Sequence, residues 1–341
     1  MKPRKWLGGY MARTVDSAFK EFMRNSVDLD PQDVSDAKNS KDYLKNIIAG
    51  YDGDNFFHLC EDFNEEFGSF ARKTKMGILD DIDLMFGISA DGATYNADDN
   101  WWNVRVYGNS RIKEHRDCMD AKTGLLNSRL VLNKFKTRLG QTYSTSDHPV
   151  RDGEAVRLDL KYDWSFDIVP CFQTVNEDNG RNYFLIPNGN GGWKKTDPRK
   201  DREFVRQVDK KHNGKVLALV RLCKKWFEVK KFETPTSYLI ETLVVSYCNE
   251  CSKINDYPDI EFKYLLNHLR SAIFYRVADM KQIQWDVNDL DDNAKKVISF
   301  KAYNDYNKAC MALKADLDEH NQPKAISLWR EIFGQEFPAY G

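Results

Sequence analysis

From residue 81 to residue 88 the chain alternates. Ile82, Leu84, Phe86 and Ile88 are apolar, with Asp81, Asp83 and Met85 between them. A period of two predicts a β-strand with one apolar face, and an opposite face that begins with two aspartates. A chain with such a strand must build a sheet that has a core on one side and an acidic patch on the other. Aspartates two apart have Cβ atoms roughly 7 Å apart, close enough for both carboxylates to serve metal ions roughly 3.5–4 Å from each other. Oxygen-only ligands suit Mg²⁺ or Mn²⁺ rather than zinc.

A third carboxylate, Asp167, sits in Ser165-Phe166-Asp167-Ile168-Val169-Pro170. Phe166 and Ile168 point to a core and leave Asp167 on the other face. If this strand lies beside the first, three carboxylates gather, and their repulsion calls for cations. Two divalent ions remove that cost and support attack of a sugar hydroxyl on the α-phosphorus of a triphosphate. Gly68-Ser69, separated from Asp81 by eleven residues, fits the same chemistry. Glycine lets backbone approach a phosphate, and the amides and the Ser69 hydroxyl can donate to β/γ oxygens. With a helix ending just before this turn, a triphosphate would lie over a bend between helix and strand. Alone, an Asp-x-Asp pair is commonly a solvated face, a Gly-Ser pair an ordinary turn, and Asp167 a surface carboxylate. The order and spacing of all three point to a nucleotidyltransferase site.

The 341 residues suffice for two domains at roughly 150 residues each. Fifty-one Lys+Arg balance 52 Asp+Glu, which argues against coating nucleic acid or membrane by bulk charge. No apolar run reaches a membrane span, and Trp6 to Tyr10, after the basic start Met1 to Lys5, is too short and broken for a signal-peptide core, so a cytoplasmic protein is expected. Seven scattered cysteines are no disulfide framework, and Cys248-x-x-Cys251 reads as helix-buried thiols.

Met11, Val15, Ala18, Phe19, Phe22 and Met23 predict a first helix. Residues 27–39, with Pro31, read as a connection, and a second helix from Ser40 carries Tyr43, Leu44, Ile47 and Ile48 inward. Strands are expected around Val104–Val106 and, as one long strand or two, from Val156 through Tyr162 to Pro170. A helix is expected over 125–139, and Asn188 to Gly192 must be a turn. Helical spacing dominates from Val216 onward. The fold class is α+β with a helical second half, and the charged stretch 194–206 marks the boundary between domains 1–202 and 203–341.

Phe67-Gly68-Ser69-Phe70-Ala71-Arg72 and Asp80-Asp81-Ile82-Asp83-Leu84-Met85 resemble the signature of the polymerase-β-like nucleotidyltransferases. Within these the chain is similar to the bacterial CD-NTases, relatives of cyclic GMP-AMP synthase and oligoadenylate synthase. The similarity extends through Arg13-Thr14-Val15-Asp16, Asn188 to Pro198, Leu222 to Trp226, Ser237 to Glu241 and Trp329 to Gly334. The resemblance implies a nucleotidyltransferase core with a mixed sheet and an α-helical lobe. Asp81, Asp83 and Asp167 would hold two Mg²⁺ (or Mn²⁺) ions, and Gly68 and Ser69 would meet the triphosphate. Lys224 and Ser237 would contact phosphate, and Tyr238 would stack on a base unless it is a plain core aromatic. Lys224 and Lys225 are adjacent, so at least one is expected to be a solvated helix charge, and Glu241 a helix-surface or structural carboxylate.

The implied activity is synthesis of a cyclic di- or trinucleotide messenger from nucleoside triphosphates in anti-phage signalling, the product acting on a separate effector. The alternatives are transfer of nucleotides to an RNA, protein or small-molecule acceptor, or an inactive nucleotide-binding protein. No basic tract supports strong nucleic-acid binding. The tail ending at Gly341 resembles tails that a ubiquitin-ligation-like partner conjugates, and equally reads as a frayed end.

Overall fold

The two expected apolar faces meet in one sheet, where Ile82, Leu84, Phe166 and Ile168 are each at most 1% exposed. The structure, a computed structural model, describes residues 11–53, 55–143, 148–160, 164–232 and 235–341. The N-terminal segment through Tyr10, and Tyr162, lie outside the described residues. The chain forms two units: residues 31–71 with 79–202, and residues 11–30 with 72–78 and 203–341.

The first unit holds a seven-stranded mixed sheet. Its path runs Trp193–Thr196, Phe184–Pro187, Ser165–Gln173, Asp81–Gly87, Glu65–Phe67. Ser165–Gln173 is its axis. One edge pairs in parallel with Asp81–Gly87 along seven residues. The other edge pairs first with Ala155–Asp159 and then with Phe184–Pro187, both antiparallel. Val150–Asp152 extends the sheet beyond Ala155–Asp159. The segment from Val156 to Pro170 is therefore two strands. The helix Ser128–Thr142, capped by the Asn127 side chain, packs on these strands and buries Val131, Leu132, Phe135 and Leu139. The Gly189–Gly192 turn links Phe184–Pro187 to Trp193–Thr196.

The second helix starts at Pro31, nine residues before Ser40, and runs to Ala49. Proline's fixed φ suits the first helical turn, so it opens this helix instead of interrupting a loop. The buried stripe is Ala37, Lys41, Leu44 and Ile48. A lysine in the stripe hides it from a hydrophobic pattern. Tyr43, expected inward, is 64% exposed.

The second unit is helical, with Val216–Val229, Ser237–Glu250, Pro258–Ala272, Asp292–Leu317 and Gln322–Phe333 around one apolar cluster. The first helix, Val15–Phe22, joins this cluster and not the sheet. Eight residues make too few turns to hold a helix alone, so it belongs where its face is covered. Phe19 lies edge-on to Trp329 and Phe337 at 5.0 and 5.1 Å, and Phe22 meets Phe333 and Phe337 at 5.1 Å. A single boundary after residue 202 is thus too simple. A division falls there, inside the helix Pro198–Lys211, but residues 11–30 and 72–78 belong with the helical unit.

The C-terminal residues are neither frayed nor free. Phe337 is 1% exposed, Ala339–Tyr340 pairs in parallel with Met11–Ala12, and the Gly341 amide donates to the Ala12 carbonyl.

Candidate active site

Strand register builds the site. Asp83 stands directly opposite Asp167, and Asp81 opposite Ser165. The Ser165 amide and hydroxyl both donate to the Asp80 carbonyl, at 2.9 and 3.1 Å, which pins the two strand starts together. One carboxylate oxygen from each of Asp81, Asp83 and Asp167 falls within a group no wider than 4.8 Å. All three are half-buried, while Ile82, Leu84, Phe166 and Ile168 between them are buried. Further along the same face Met85, Val169 and Cys171 join a small apolar cluster, so the acidic patch ends abruptly.

Burial and the neighbouring Asp81 push the Asp167 carboxyl above its usual range, and Arg157 pulls against them. A trio of half-buried carboxylates at this spacing fits divalent cations, whose charge answers that repulsion and whose hard oxygen coordination the aspartates satisfy. It is the one group of three or more such side chains, among the described residues, that could hold a metal.

Gly68 is fixed by the same cluster. Its φ is +71°, and a Cβ there would lie 1.7 Å from Asp83 Oδ2. Only glycine lets the backbone pass this close to the carboxylate. Phe67 pairs with Asp83, so a strand, not a helix, leads into Gly68, and Gly68–Ala71 is a single short helical turn. The expected bend exists with its elements exchanged. Ser69 is half-buried within that turn.

Lys224, Ser237 and Tyr238 belong to the helical unit. Lys224 is 6% exposed, and its ammonium donates to Glu241 Oε1 at 2.5 Å and to the Thr74 carbonyl at 3.0 Å. Glu241, fully buried, also accepts from Arg72 Nε at 2.8 Å. Burial pushes the Glu241 carboxyl up, but Arg72 and Lys224 outweigh it and hold it low. Lys225 is buried as well, with its ammonium 2.8 Å from Glu336. Neither lysine is a solvated helix charge. Sequence distance concealed this, because the carboxylates lie 17 and 111 positions away. Ser237 is the exposed first residue of its helix, beside the Thr236 cap. The Tyr238 hydroxyl donates to Asp279 at 2.6 Å, and Arg72 and Lys281 lie 5.4 and 4.6 Å from its ring centre. Cys248 is buried in the same helix, and Cys251 follows its end half-buried.

Sequence reasoning missed Arg157, which pairs with Asp167 from the other side. The alternation of Val156, Leu158 and Leu160 carried the signal, since it places residue 157 on the aspartate face.

No protein-family model matches the chain. It is 36% identical over 345 aligned positions to a probable cyclic nucleotide synthase of Bacillus cereus VD146, covering 97% of this chain and 99% of that one. A cyclic AMP-AMP-AMP synthase of an Acinetobacter species is 26% identical over half of each chain. Among solved structures, CdnC of Escherichia coli MS115-1 with ATP has a TM-score of 0.68 at 17% identity, covering 95% of this chain and 99% of that one. The same protein in complex with a HORMA protein matches equally well. These two establish likeness of fold, and the Bacillus relative, alike from end to end, settles the family: the chain belongs to the bacterial CD-NTases, the cyclic nucleotide synthases of the polymerase-β-like fold.

Proposed function

We propose that the protein joins nucleoside triphosphates into a cyclic di- or trinucleotide in a reaction that depends on Mg²⁺ or Mn²⁺. The observation that carries this is the convergence of Asp81, Asp83 and Asp167 beside a glycine that no other residue can replace without displacing Asp83. The three aspartates would hold two divalent ions, which when bound would neutralise charge on the phosphates and favour ionisation of the attacking hydroxyl. Ser69 and the amides around Gly68 would bind the β/γ phosphates of the donor. The acceptor's ribose oxygen forms a bond to the α-phosphorus, its proton passes to water, and pyrophosphate leaves with the electrons of the broken P–O bond. Repeating this step on the same chain, and then on its own end, closes the ring.

We assign Lys224 an indirect role. Its ammonium fixes Glu241 and the 72–78 segment. Ser237 and Tyr238 would meet phosphate and base as the family resemblance implies. The names of the Acinetobacter relative and of CdnC with ATP make adenylate rings the first products to seek, and the HORMA complex of CdnC supports a protein regulator. Signalling to an effector against phage follows from the resemblance. No helix among the described residues is long and apolar enough to cross a membrane, in keeping with a cytoplasmic role. Conjugation of Gly341 by a ubiquitin-ligation-like partner would require the Ala339–Tyr340 pairing to open.

The test is incubation of the protein with all four ribonucleoside triphosphates and Mg²⁺ or Mn²⁺, then phosphatase treatment and mass spectrometry. A resistant oligonucleotide, absent with Asp81→Ala/Asp83→Ala, is expected. Its mass gives the bases and ring size. Phosphatase-sensitive linear products alone, or products only when an RNA, protein or small-molecule acceptor is added, would overturn the cyclic reading.

A further inference from the structure

Four residues form one row across the sheet. Phe67, next to Gly68, pairs with Asp83, Asp83 with Asp167, and Asp167 with Arg157. Adjacent strands are spaced about 4.8 Å, so Gly68 and Arg157 flank the carboxylates from opposite ends, each within about 10 Å of the centre of the row. Directly opposed residues share a face, so Arg157 stands on the face of Asp83 and Asp167.

The Arg157 side chain is 45% exposed and is held at one point, Nε to Asp159 Oδ1 at 3.0 Å. Among the described residues, its two terminal nitrogens donate no hydrogen bond to the protein. A guanidinium anchored through Nε presents its outer pair of N–H groups as a fork, the geometry that matches two oxygens of one phosphate. The charges that act on it are acidic, Asp159, Asp167 and Asp152, and it stands at the rim of the acidic cluster.

Resting on the function proposed above, we propose that Arg157 binds a phosphate of the acceptor nucleotide, the one whose hydroxyl attacks. In-line displacement places the attacking oxygen and the departing pyrophosphate on opposite sides of the α-phosphorus. With pyrophosphate on the Gly68–Ser69 side, attack comes from the Asp167 side, and the acceptor lies towards Arg157. That acceptor carries a phosphate in every round: a nucleoside triphosphate first, then a linear oligonucleotide with a 5′-triphosphate. Holding it would favour ring closure over release of the linear intermediate.

The experiment uses the full chain and an unreactive acceptor, a 5′-triphosphorylated diadenylate lacking its terminal ribose hydroxyls, titrated by calorimetry in Ca²⁺. Arg157→Ala is expected to weaken this probe about tenfold and Arg157→Lys to restore part of the loss, while the midpoint of Mg²⁺-dependent thermal stabilisation does not move to higher Mg²⁺, since the charge removed is a cation beside Asp167. In turnover with ATP, Arg157→Ala should release more linear intermediate per ring. Unchanged probe affinity in Arg157→Ala with a shifted Mg²⁺ midpoint would overturn the proposal and leave Arg157 as a counter-charge to Asp167. Wild-type protein that fails to bind the probe overturns it too. Wild-type protein that makes no ring yet binds the probe through Arg157 overturns the cyclic reading and keeps the phosphate site. Ring formation with Arg157→Ala binding the probe as tightly as wild type does the reverse.

Discussion

Asp83 and Asp167 face each other across a parallel strand pair, in direct register. Two carboxylates on neighbouring strands would ordinarily be an unfavourable cross-strand pair. Here the chain enforces the arrangement, through seven paired residues and the double anchor of Ser165 on the Asp80 carbonyl. The electrostatic cost is built in and becomes a measure of what binds there.

The first consequence concerns pH and metal. The folded-state pKa of Asp167 is raised, by burial first and by Asp81 second. A carboxyl raised on folding costs nothing while protonated in both states and destabilises the fold as pH rises from the ordinary value of 3.8 through the folded one. In EDTA at pH 8, Asp167→Asn is therefore expected to melt above the wild type, and the gap should close towards pH 4. Millimolar Mg²⁺ or Mn²⁺ should raise the wild-type melting temperature and leave the variant unmoved. Scanning calorimetry with and without EDTA checks both, and equal metal response in the two proteins would contradict the site.

Gly68→Ala tests the other wall of the site. The methyl group would occupy the place of Asp83 Oδ2, and the backbone is left-handed at φ +71°. A stability loss of about 1–2 kcal/mol is expected from the backbone alone. Displacing Asp83 by an ångström should cost about a hundredfold in nucleotide incorporation. Urea titration and initial rates of pyrophosphate release separate the two, and a variant with full activity would show that Gly68 is merely a turn residue.

The sequence showed some of this and hid the rest for physical reasons. The aspartate strand was legible because its period of two survives in seven residues. Asp167 was legible as a candidate, but its place beside Asp83 depended on register, which long-range pairing decides. At least one of Lys224 and Lys225 was expected to be a surface charge, because their partners Glu241 and Glu336 come from other segments. The first nine residues of the helix from Pro31 read as a connection because Ala37 is the one buried residue among them, and the next on the stripe, Lys41, is charged and donates to Glu66 at 2.7 Å. The first helix could be seen in the pattern, but its allegiance to Trp329, Phe333 and Phe337 could not.

Glu241 is the hinge of a buried charge group, with Arg72 and Lys224 both donating to it. Removing it leaves two cations in a dry site. Glu241→Gln is expected to lose about 3–5 kcal/mol in urea titration. The paired replacement Lys224→Met/Glu241→Gln should lose less than Glu241→Gln alone, since one of the stranded cations is gone. A double variant worse than the single would mean that Lys224 contributes through packing rather than charge.

Asp259 offers a pH effect away from the site. It lies in the first turn of Pro258–Ala272, 7% exposed, and burial pushes its carboxyl up to about 6, with backbone hydrogen bonds opposing and Asp316 and Asp16 adding to the rise. Its contribution to stability is intact below 3.8, declines as pH rises through about 6 and is then constant. The full cost of the shift is at most about 3 kcal/mol, at about 1.4 kcal/mol per unit. Asparagine keeps an oxygen to accept the backbone N–H bonds and carries no charge. Asp259→Asn should therefore be more stable than wild type at pH 7.5, with the advantage shrinking through pH 6 and gone near pH 4. Urea midpoints across that range measure it, and a difference independent of pH would show that the carboxyl is not charged at the expense of the fold.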